Sequence, residues 1–131
     1  EVGSLARTRL VQEYCAVTGA CLAVSRNKYL EVGGLDESNL AIAYNDVDFC
    51  LRLREKGYRN IWTPYSQLYH YESYSRGPDS ASVSIDRYRA EAEYMRHRWS
   101  DLLRDDPFYS PSFSRGLYSF EIAWPPSRRD H

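Results

Sequence analysis

The chain has 131 residues, of which 43% are hydrophobic and 27% are charged, and its formal net charge is −1. This length predicts one domain with a single core, and the composition is typical of a soluble globular protein. The balanced charge excludes the basic surface that nucleic-acid binding requires, and no apolar run approaches the roughly 20 residues of a membrane-spanning helix.

The sequence begins at Glu1 without a methionine and shows no signal-peptide pattern, so we expect an excised piece of a longer protein. Its three cysteines, Cys15, Cys21 and Cys50, form no C-x-x-C pair. Two of them flank an apolar stretch and the third lies in a helical segment, which favours buried reduced thiols over a disulfide or a zinc site. Reduced thiols predict a cytoplasmic protein.

The first part of the chain predicts an irregular lead-in followed by a strand. Residues 1–13 are polar and basic. Residues 14–24 form a near-continuous apolar run without a helical period, which predicts a strand covered on both faces in an α/β sheet. Gly19 within this run allows the close approach of a ligand or another backbone, or else serves tight helix–sheet packing.

A short helix is predicted over residues 28–32, with Ser25 or Asn27 as its cap. The pair Gly33 and Gly34 supplies the positive φ that a helix end requires. An ordinary Schellman stop followed by a loop explains this pair without any functional role.

The central element is a helix that begins at Asn45 and stops at Gly57. Asn45 suits the N-cap, and Asp48 suits a capping-box position. Asp46 then lies in the first turn, where a carboxylate serves either as a helix cap or as a general base. Asp48 and Arg52 have the i,i+4 spacing of a modest ion pair. The apolar side of this helix comprises Val47, Cys50, Leu51 and Leu53.

Beyond this helix, residues 59–64 predict a strand that ends at Pro64, since proline cannot continue a central strand. Residues 67–73 predict further extended structure, in which alternation puts Leu68 and His70 on the same side. His70 is therefore either a packed core histidine or a ligand.

An amphipathic helix is predicted over residues 84–103. Its apolar positions are Ile85, Tyr88, Ala92, Met95, Trp99 and Leu102, and its opposite face carries Arg87, Glu91, Arg98 and Asp101. We expect this helix to pack on the rest of the domain; the alternative is a peripheral membrane contact, which the mixed charge of the polar face disfavours. Residues 105–131, rich in proline, serine and aromatic residues, predict an extended tail.

Four runs of sequence follow one another in a specific order: VTGACLAVSRNKYLEVGGLDE, AYNDVDFCLRLREKGYRNIWTP, LYHYESYSRG and DPFYSPSFSRGLYSF. Together they cover most of residues 15–120 and resemble the acceptor-side half of a family 2 glycosyltransferase with the GT-A fold. The particular similarity is to the rhamnosyltransferase-like bacterial members that build surface polysaccharides.

This resemblance implies an α/β fold, namely part of a Rossmann-like GT-A domain with a mixed sheet, helices and a C-terminal amphipathic helix. Residues 1–78 would be the acceptor-side half of the catalytic domain, and residues 79–131 its helical extension and tail. The implied activity is inverting transfer of a sugar from a nucleotide-sugar to a saccharide or lipid-linked saccharide acceptor, with Mg²⁺ or Mn²⁺, at the inner face of the membrane.

The family's D-x-D motif belongs to the donor-binding half. The letters Asp46-Val-Asp48 stand at a helix start after the acceptor loop, so we do not interpret them as that motif. We therefore expect the isolated piece to be inactive.

The same resemblance assigns roles to individual residues. Asp46 matches the catalytic base, and Asn45 stands where the family usually has a carboxylate, so its expected role is hydrogen bonding. His70 matches a metal or diphosphate contact, and Mg²⁺ and Mn²⁺ accept oxygen ligands with imidazole tolerated by Mn²⁺. The residues expected on the acceptor side are Gly33, Gly34, Asp36 and Asn45.

Two other hypotheses compete with glycosyl transfer. The chain contains twelve tyrosines, whose rings suit sugar faces, so a non-catalytic saccharide-binding or assembly module is one alternative. The other is self-association of the piece through the surface that meets the rest of the domain.

Overall fold

The computed structural model describes residues 9–69, 81–114 and 121–124, with residues 81–84 described by their backbone alone. In these ranges the structure is mixed α/β, in agreement with the predicted class. A single 3₁₀ turn, Gly19–Cys21, lies between the first strand and the first helix. The remaining elements are β1 (Gln12–Tyr14), α1 (Arg26–Glu31), α2 (Asn45–Glu55), β2 (Asn60–Trp62), α3 (Ala81–Arg98) and α4 (Ser100–Arg104).

The sheet in the described ranges has two antiparallel strands, with Glu13 of β1 opposite Ile61 of β2. The predicted strand over residues 14–24 is wrong, because only Tyr14 is in a strand and the chain turns at Gly19. Residues 15–24 are half-buried or exposed. Their apolar character therefore does not reflect the two-sided cover that the prediction assumed. The strand predicted over residues 59–64 is confirmed in its central three residues.

Helix α2 is the most buried element of the described chain. Phe49, Cys50, Leu51 and Leu53 are all buried, as its apolar pattern predicts for three of them. The helix ends as predicted at Gly57, whose φ is +82°. The predicted N-cap is wrong: Tyr44 occupies that position in the left-handed conformation without a side-chain capping bond, and Asn45 is already the first helical residue.

The predicted C-terminal helix is confirmed as α3 followed by α4, with an interruption at Trp99. Its side chain packs with Leu40, Leu51 and Met95 in the main core cluster, so α3 lies against α2 and the loop before it. Of the predicted apolar positions, Ala92, Met95 and Trp99 are buried as expected, whereas Ile85 and Tyr88 are exposed and the prediction is wrong there. The assignment of Glu91 to the polar face is wrong, because this side chain is only 4% exposed.

The buried carboxylate of Asp48 joins α2 to two other parts of the molecule. Arg52 Nε donates to its Oδ2 at 2.7 Å, and Trp99 Nε1 donates to its Oδ1 at 3.0 Å. The guanidinium of Arg52 also donates to the carbonyls of Val32 and Gly34, at the end of α1. The predicted i,i+4 pair is therefore confirmed, but it is part of a buried network. The capping-box role of Asp48 is wrong.

Asn60 of β2 provides the corresponding link on the sheet side. Its amide nitrogen donates to the carbonyl oxygens of Cys15 at 2.8 Å and Cys50 at 2.9 Å. One buried side chain thus fastens the segment after β1 and the middle of α2 to β2.

The cysteines are all free thiols, as predicted, but they differ in burial. Cys50 is buried, whereas Cys21 is exposed, so the expectation of a buried thiol is wrong there. Cys15 donates to Asp106 Oδ1 at 3.1 Å. Burial, followed by the bond to Asp106, raises the pKa of Cys15 to about 12.

Within the described ranges, no helix combines the length and the apolarity needed to cross a bilayer.

We predict that Asp48→Asn lowers the free energy of unfolding by about 3–5 kcal/mol, the usual cost of breaking a buried ion pair from one side. Asp48 is 0% exposed, and the substitution removes the carboxylate that forms ion pairs with Arg52 and Arg98. Urea unfolding followed by circular dichroism measures the change as a lower midpoint at constant slope.

The matched control for this substitution is Asp101→Asn. Asp101 also pairs with an arginine, Arg104, but their side chains are 87% and 76% exposed. The control should change stability by no more than roughly 0.5 kcal/mol. Equal midpoints for the two variants would contradict the importance of the Asp48 network.

Candidate active site

Asp46 lies in the first turn of α2 with a half-buried side chain. Its Oδ2 accepts a hydrogen bond from the N–H of Gly19 at 2.6 Å, and its Oδ1 accepts one from the N–H of Val47 at 2.8 Å. The second bond satisfies a free donor of the first turn, as a cap does. An ionised carboxylate accepts about four hydrogen bonds, so both oxygens keep capacity for a ligand proton.

Asp46 and Asn45 line a cavity of about 510 Å³, which we call the Asp46 cavity. This volume is within the range of small-molecule sites. The walls combine the backbone of the 3₁₀ turn with apolar side chains and the polar start of α2. They include Thr18, Gly19, Ala20, Val24, Tyr29, Leu35, Ile42 and Phe49.

The side chain of Asp46 packs directly against the backbone of Gly19. A Cβ atom at position 19 would lie 3.0 Å from the Cβ of Asp46, closer than ordinary van der Waals contact. The sequence predicted close approach by a ligand or a backbone, or tight helix–sheet packing. The structure shows the side chain of Asp46 there instead.

The loop after α1 is a Schellman motif, since Gly34 N–H donates to Tyr29 O and Gly33 N–H donates to Leu30 O. The φ angles of Gly33 and Gly34 are +82° and +71°, as predicted for this pair. Gly34 is buried beneath the ring of Tyr29, whereas nothing lies within 4 Å of a Cβ built on Gly33. The positive φ favours glycine at both positions. At Gly34 the ring of Tyr29 also leaves no room for a side chain.

Gly33, Gly34 and Asp36 line a second cavity of about 670 Å³, the Gly-loop cavity, with Arg52 and Arg98 in its wall. Tyr29 and Leu35 line both cavities and form the boundary between them. The residues expected on the acceptor side are thus divided: Asn45 lies with Asp46, while the other three lie beyond Tyr29.

The carboxylate of Asp36 is committed to local hydrogen bonds. It accepts from the backbone N–H of Asn39 at 3.0 Å, from the side-chain amide of Asn39, and from the hydroxyl of Tyr94 at 3.0 Å. These bonds, above all those from the Asn39 side chain, lower the pKa of Asp36. Asp36 therefore stays ionised and ties the loop after Gly34 to α3.

His70, expected as a metal contact, lies outside the described residues, and its role stays a prediction. In residues 9–69, 81–114 and 121–124, no three His, Cys, Asp or Glu side chains form a group that could hold a metal ion. The described residues alone thus do not fit a metal site, and we derive no chemical step through one.

The sequence interpretation did not single out Tyr29, which separates the two cavities. A signal was available, because in a Schellman motif the residue at C3 commonly contacts the residue at C″. Tyr29 and Gly34 occupy these two positions. Ile42 had no comparable local signal, because its place in the cavity wall depends on how the loop before α2 is held.

The known proteins that are similar to this chain include the following three. It is 42% identical over 123 residues to the Sinorhizobium fredii protein named uncharacterized protein y4gI. This match covers 94% of this chain and 14% of that protein. It is 33% identical over 104 residues to the O-antigen biosynthesis protein RfbC of Myxococcus xanthus, covering 79% of this chain and 8% of that protein.

The third similarity is to an enzyme whose name states its reaction. Over 84 residues the chain is 30% identical to the N-acetylglucosaminyl-diphospho-decaprenol L-rhamnosyltransferase of Mycobacterium tuberculosis. The chain is thus partly homologous to a rhamnosyltransferase. The match covers 64% of this chain and 27% of that enzyme, so the chain spans about a quarter or less of each of these three relatives. No family model and no solved structure matches the chain.

We predict that Gly34→Ala destabilises the protein more than Gly33→Ala. Both substitutions put alanine at a positive φ, which costs roughly 1–2 kcal/mol. At position 34 the new Cβ also meets the Tyr29 ring at 2.9 Å, and overpacking adds about 1–3 kcal/mol.

The difference between the two midpoints in urea unfolding isolates the contact with Tyr29. When both glycine substitutions are made in a Tyr29→Ala background, Gly34→Ala and Gly33→Ala should destabilise the protein equally. Equal effects of the two single substitutions would show that the ring does not restrict this loop.

Proposed function

We propose that this chain is the acceptor-side half of an inverting family 2 glycosyltransferase with the GT-A fold. The reaction transfers a sugar from a nucleotide-sugar to a saccharide or lipid-linked saccharide during the synthesis of a cell-surface polysaccharide. The partial similarity to a rhamnosyltransferase and to an O-antigen biosynthesis protein supports this proposal. The observation that carries it is the Asp46 carboxylate, held by backbone N–H groups at the wall of a cavity of about 510 Å³.

Asp46 is the catalytic base in this proposal. The acceptor hydroxyl oxygen attacks the anomeric carbon from the face opposite the leaving group and forms the new glycosidic bond. The bond from the anomeric carbon to the diphosphate breaks, and its electron pair leaves with the nucleoside diphosphate. The hydroxyl proton passes to Asp46, which remains properly oriented because Gly19 and Val47 each donate to one of its oxygens.

The remaining acceptor-side residues have different proposed roles. Asn45 lines the Asp46 cavity and hydrogen-bonds the acceptor. Gly33 and Gly34 shape the neighbouring Gly-loop cavity by allowing its backbone turn. Asp36 acts by holding the loop, because Asn39 and Tyr94 already donate to its oxygens.

Donor binding in this proposal depends on residues beyond those described. His70 would contribute to holding Mg²⁺ or Mn²⁺, which would supply charge neutralisation for the leaving diphosphate. The nucleotide-sugar itself is held by a donor half that carries the D-x-D motif. Transfer takes place in the cytoplasm at the inner face of the membrane, where a lipid-linked acceptor is accessible.

One observation favours the alternative of a non-catalytic saccharide-binding module. The rings of Tyr65 and Tyr69 are 86% and 91% exposed, on a segment rich in tyrosine. Exposed aromatic faces suit sugar rings, and binding through them would depend neither on Asp46 nor on a metal ion.

We predict that Asp46→Asn lowers kcat by about 10²- to 10⁴-fold, the usual contribution of a positioned base, equivalent to roughly 3–5 kcal/mol of barrier. The fold should persist, because asparagine keeps an oxygen for one of the two backbone N–H donors and the side chain is only half-buried. Initial rates of the complete gene product measure the loss, and thermal unfolding checks the fold. Full activity of Asp46→Asn, beside an equally active Asp101→Asn control, would remove the base assignment.

We predict that the complete gene product hydrolyses one nucleotide-sugar from a panel in the presence of Mn²⁺ or Mg²⁺, and that EDTA abolishes this. His70→Ala should lose the hydrolysis, whereas His97→Ala, at an exposed position of α3, should retain it. Retention by His70→Ala would overturn the metal role of His70. Saccharide binding without turnover of any donor, lost on replacing Tyr65 and Tyr69, would favour the binding module.

A further inference from the structure

A buried carboxylate on α3 holds the segment that leads into Asp46. Glu91 is 4% exposed. It accepts hydrogen bonds from the backbone N–H groups of Ala43 at 2.7 Å and Ile42 at 3.3 Å. A buried charge is costly unless it is well hydrogen-bonded, and here both donors belong to the loop before α2. The proposed mechanism gives Glu91 no part in the chemistry.

The next residue, Tyr44, adopts a backbone conformation that is unfavourable for a bulky residue. Its φ is 62° and its ψ is 4°, the left-handed region, which is a genuine outlier for a bulky residue. Such a conformation persists only where surrounding contacts determine it. The contacts come from α3, because the Tyr44 hydroxyl donates to that of Tyr88 and their ring centroids are 5.6 Å apart.

Helix α3 and the residue that follows it therefore bind the chain on both sides of Asp46. Before it, Glu91 binds the N–H of Ala43. After it, Trp99 of the interruption beyond α3 donates to the Asp48 carboxylate. Two attachment points that are five residues apart in sequence leave little freedom to the turn between them.

We propose that Glu91 is a positioning residue that directs Asp46 into its cavity by holding the backbone of residues 42–44. This inference rests on the proposed function, since it concerns the base of that reaction. A carboxylate is suited to the task because each of its oxygens accepts one N–H. An amide offers one oxygen and one NH₂ group, so one of the two backbone donors would lose its acceptor.

The test compares Glu91→Gln with Glu93→Gln in the complete gene product. Both changes remove one negative charge from α3, but Glu93 is exposed. Glu91→Gln should lower kcat by roughly 10- to 100-fold, the effect of a small displacement of a reacting group. The KM for the donor should stay within about twofold, because the donor half that holds it is unchanged. Glu93→Gln should match the wild type in both parameters.

Hydrogen exchange supplies a readout that does not depend on activity. In Glu91→Gln at least one of the amides of Ile42 and Ala43 should exchange roughly 10- to 100-fold faster, the consequence of losing a hydrogen bond to a charged acceptor. Amides in the middle of α2 should keep their protection. Tyr88→Phe, which removes the hydroxyl and keeps the ring, should give a smaller acceleration at the same segment, and it serves as the test if Glu91→Gln does not fold.

The outcomes separate this inference from the proposed function. An active wild type with an equally active Glu91→Gln overturns the positioning role and leaves the base assignment intact. A lower kcat with an unchanged KM for the donor and faster exchange supports it. If the wild type transfers no sugar, the proposed function fails, and hydrogen exchange alone tests the inference. Unchanged protection at residues 42–43 in Glu91→Gln then overturns it. Faster exchange supports Glu91 as the residue that holds this segment.

Discussion

The hydrogen-bonded ion pair at Asp48 is the interaction on which the described structure depends most. Its carboxylate is fully buried, so its negative charge must be matched by donors within reach. Those donors come from Arg52 one turn along α2 and from Trp99 at the end of α3. Arg52 extends the same network to the carbonyl of Gly34. The buried charge therefore links α2 to the glycine loop and to the residue that follows α3.

This arrangement also determines which way Asp46 points. Side chains two positions apart on an α-helix are separated by about 200° around its axis. A helix that buries Asp48 against Trp99 therefore turns Asp46 to the opposite side, toward Gly19 and the cavity. A structural carboxylate and the proposed catalytic carboxylate are thus separated by helical geometry, although only Val47 lies between them in the sequence.

The boundary between the two cavities is formed by the loop after α1 and by Tyr29. Gly34 lets the chain pass beneath Tyr29, whose ring packs on Phe49 with centroids 5.3 Å apart. This pair of tilted rings separates the polar Gly-loop cavity from the cavity that contains Asp46. Asp36 fastens the far end of the loop to Tyr94, so α3 supports both sides of the boundary. The C-terminal helix is thus an integral support of the candidate site.

The sequence by itself determined the features that depend on near neighbours. The positive φ at Gly33 and Gly57 and the approximate extents of α2 and the C-terminal helices followed from local pattern, because these properties are decided within about five residues. The strand predicted over residues 14–24, the cap at Asn45 and the exposed position of Glu91 were wrong. Glu91 meets Ala43 across 48 residues, and Asp48 meets Trp99 across 51. Only the tertiary structure decided these contacts. A polar residue on a helix is predicted to face solvent, because its hydrogen-bond donors are distant in the sequence and cannot be identified from it.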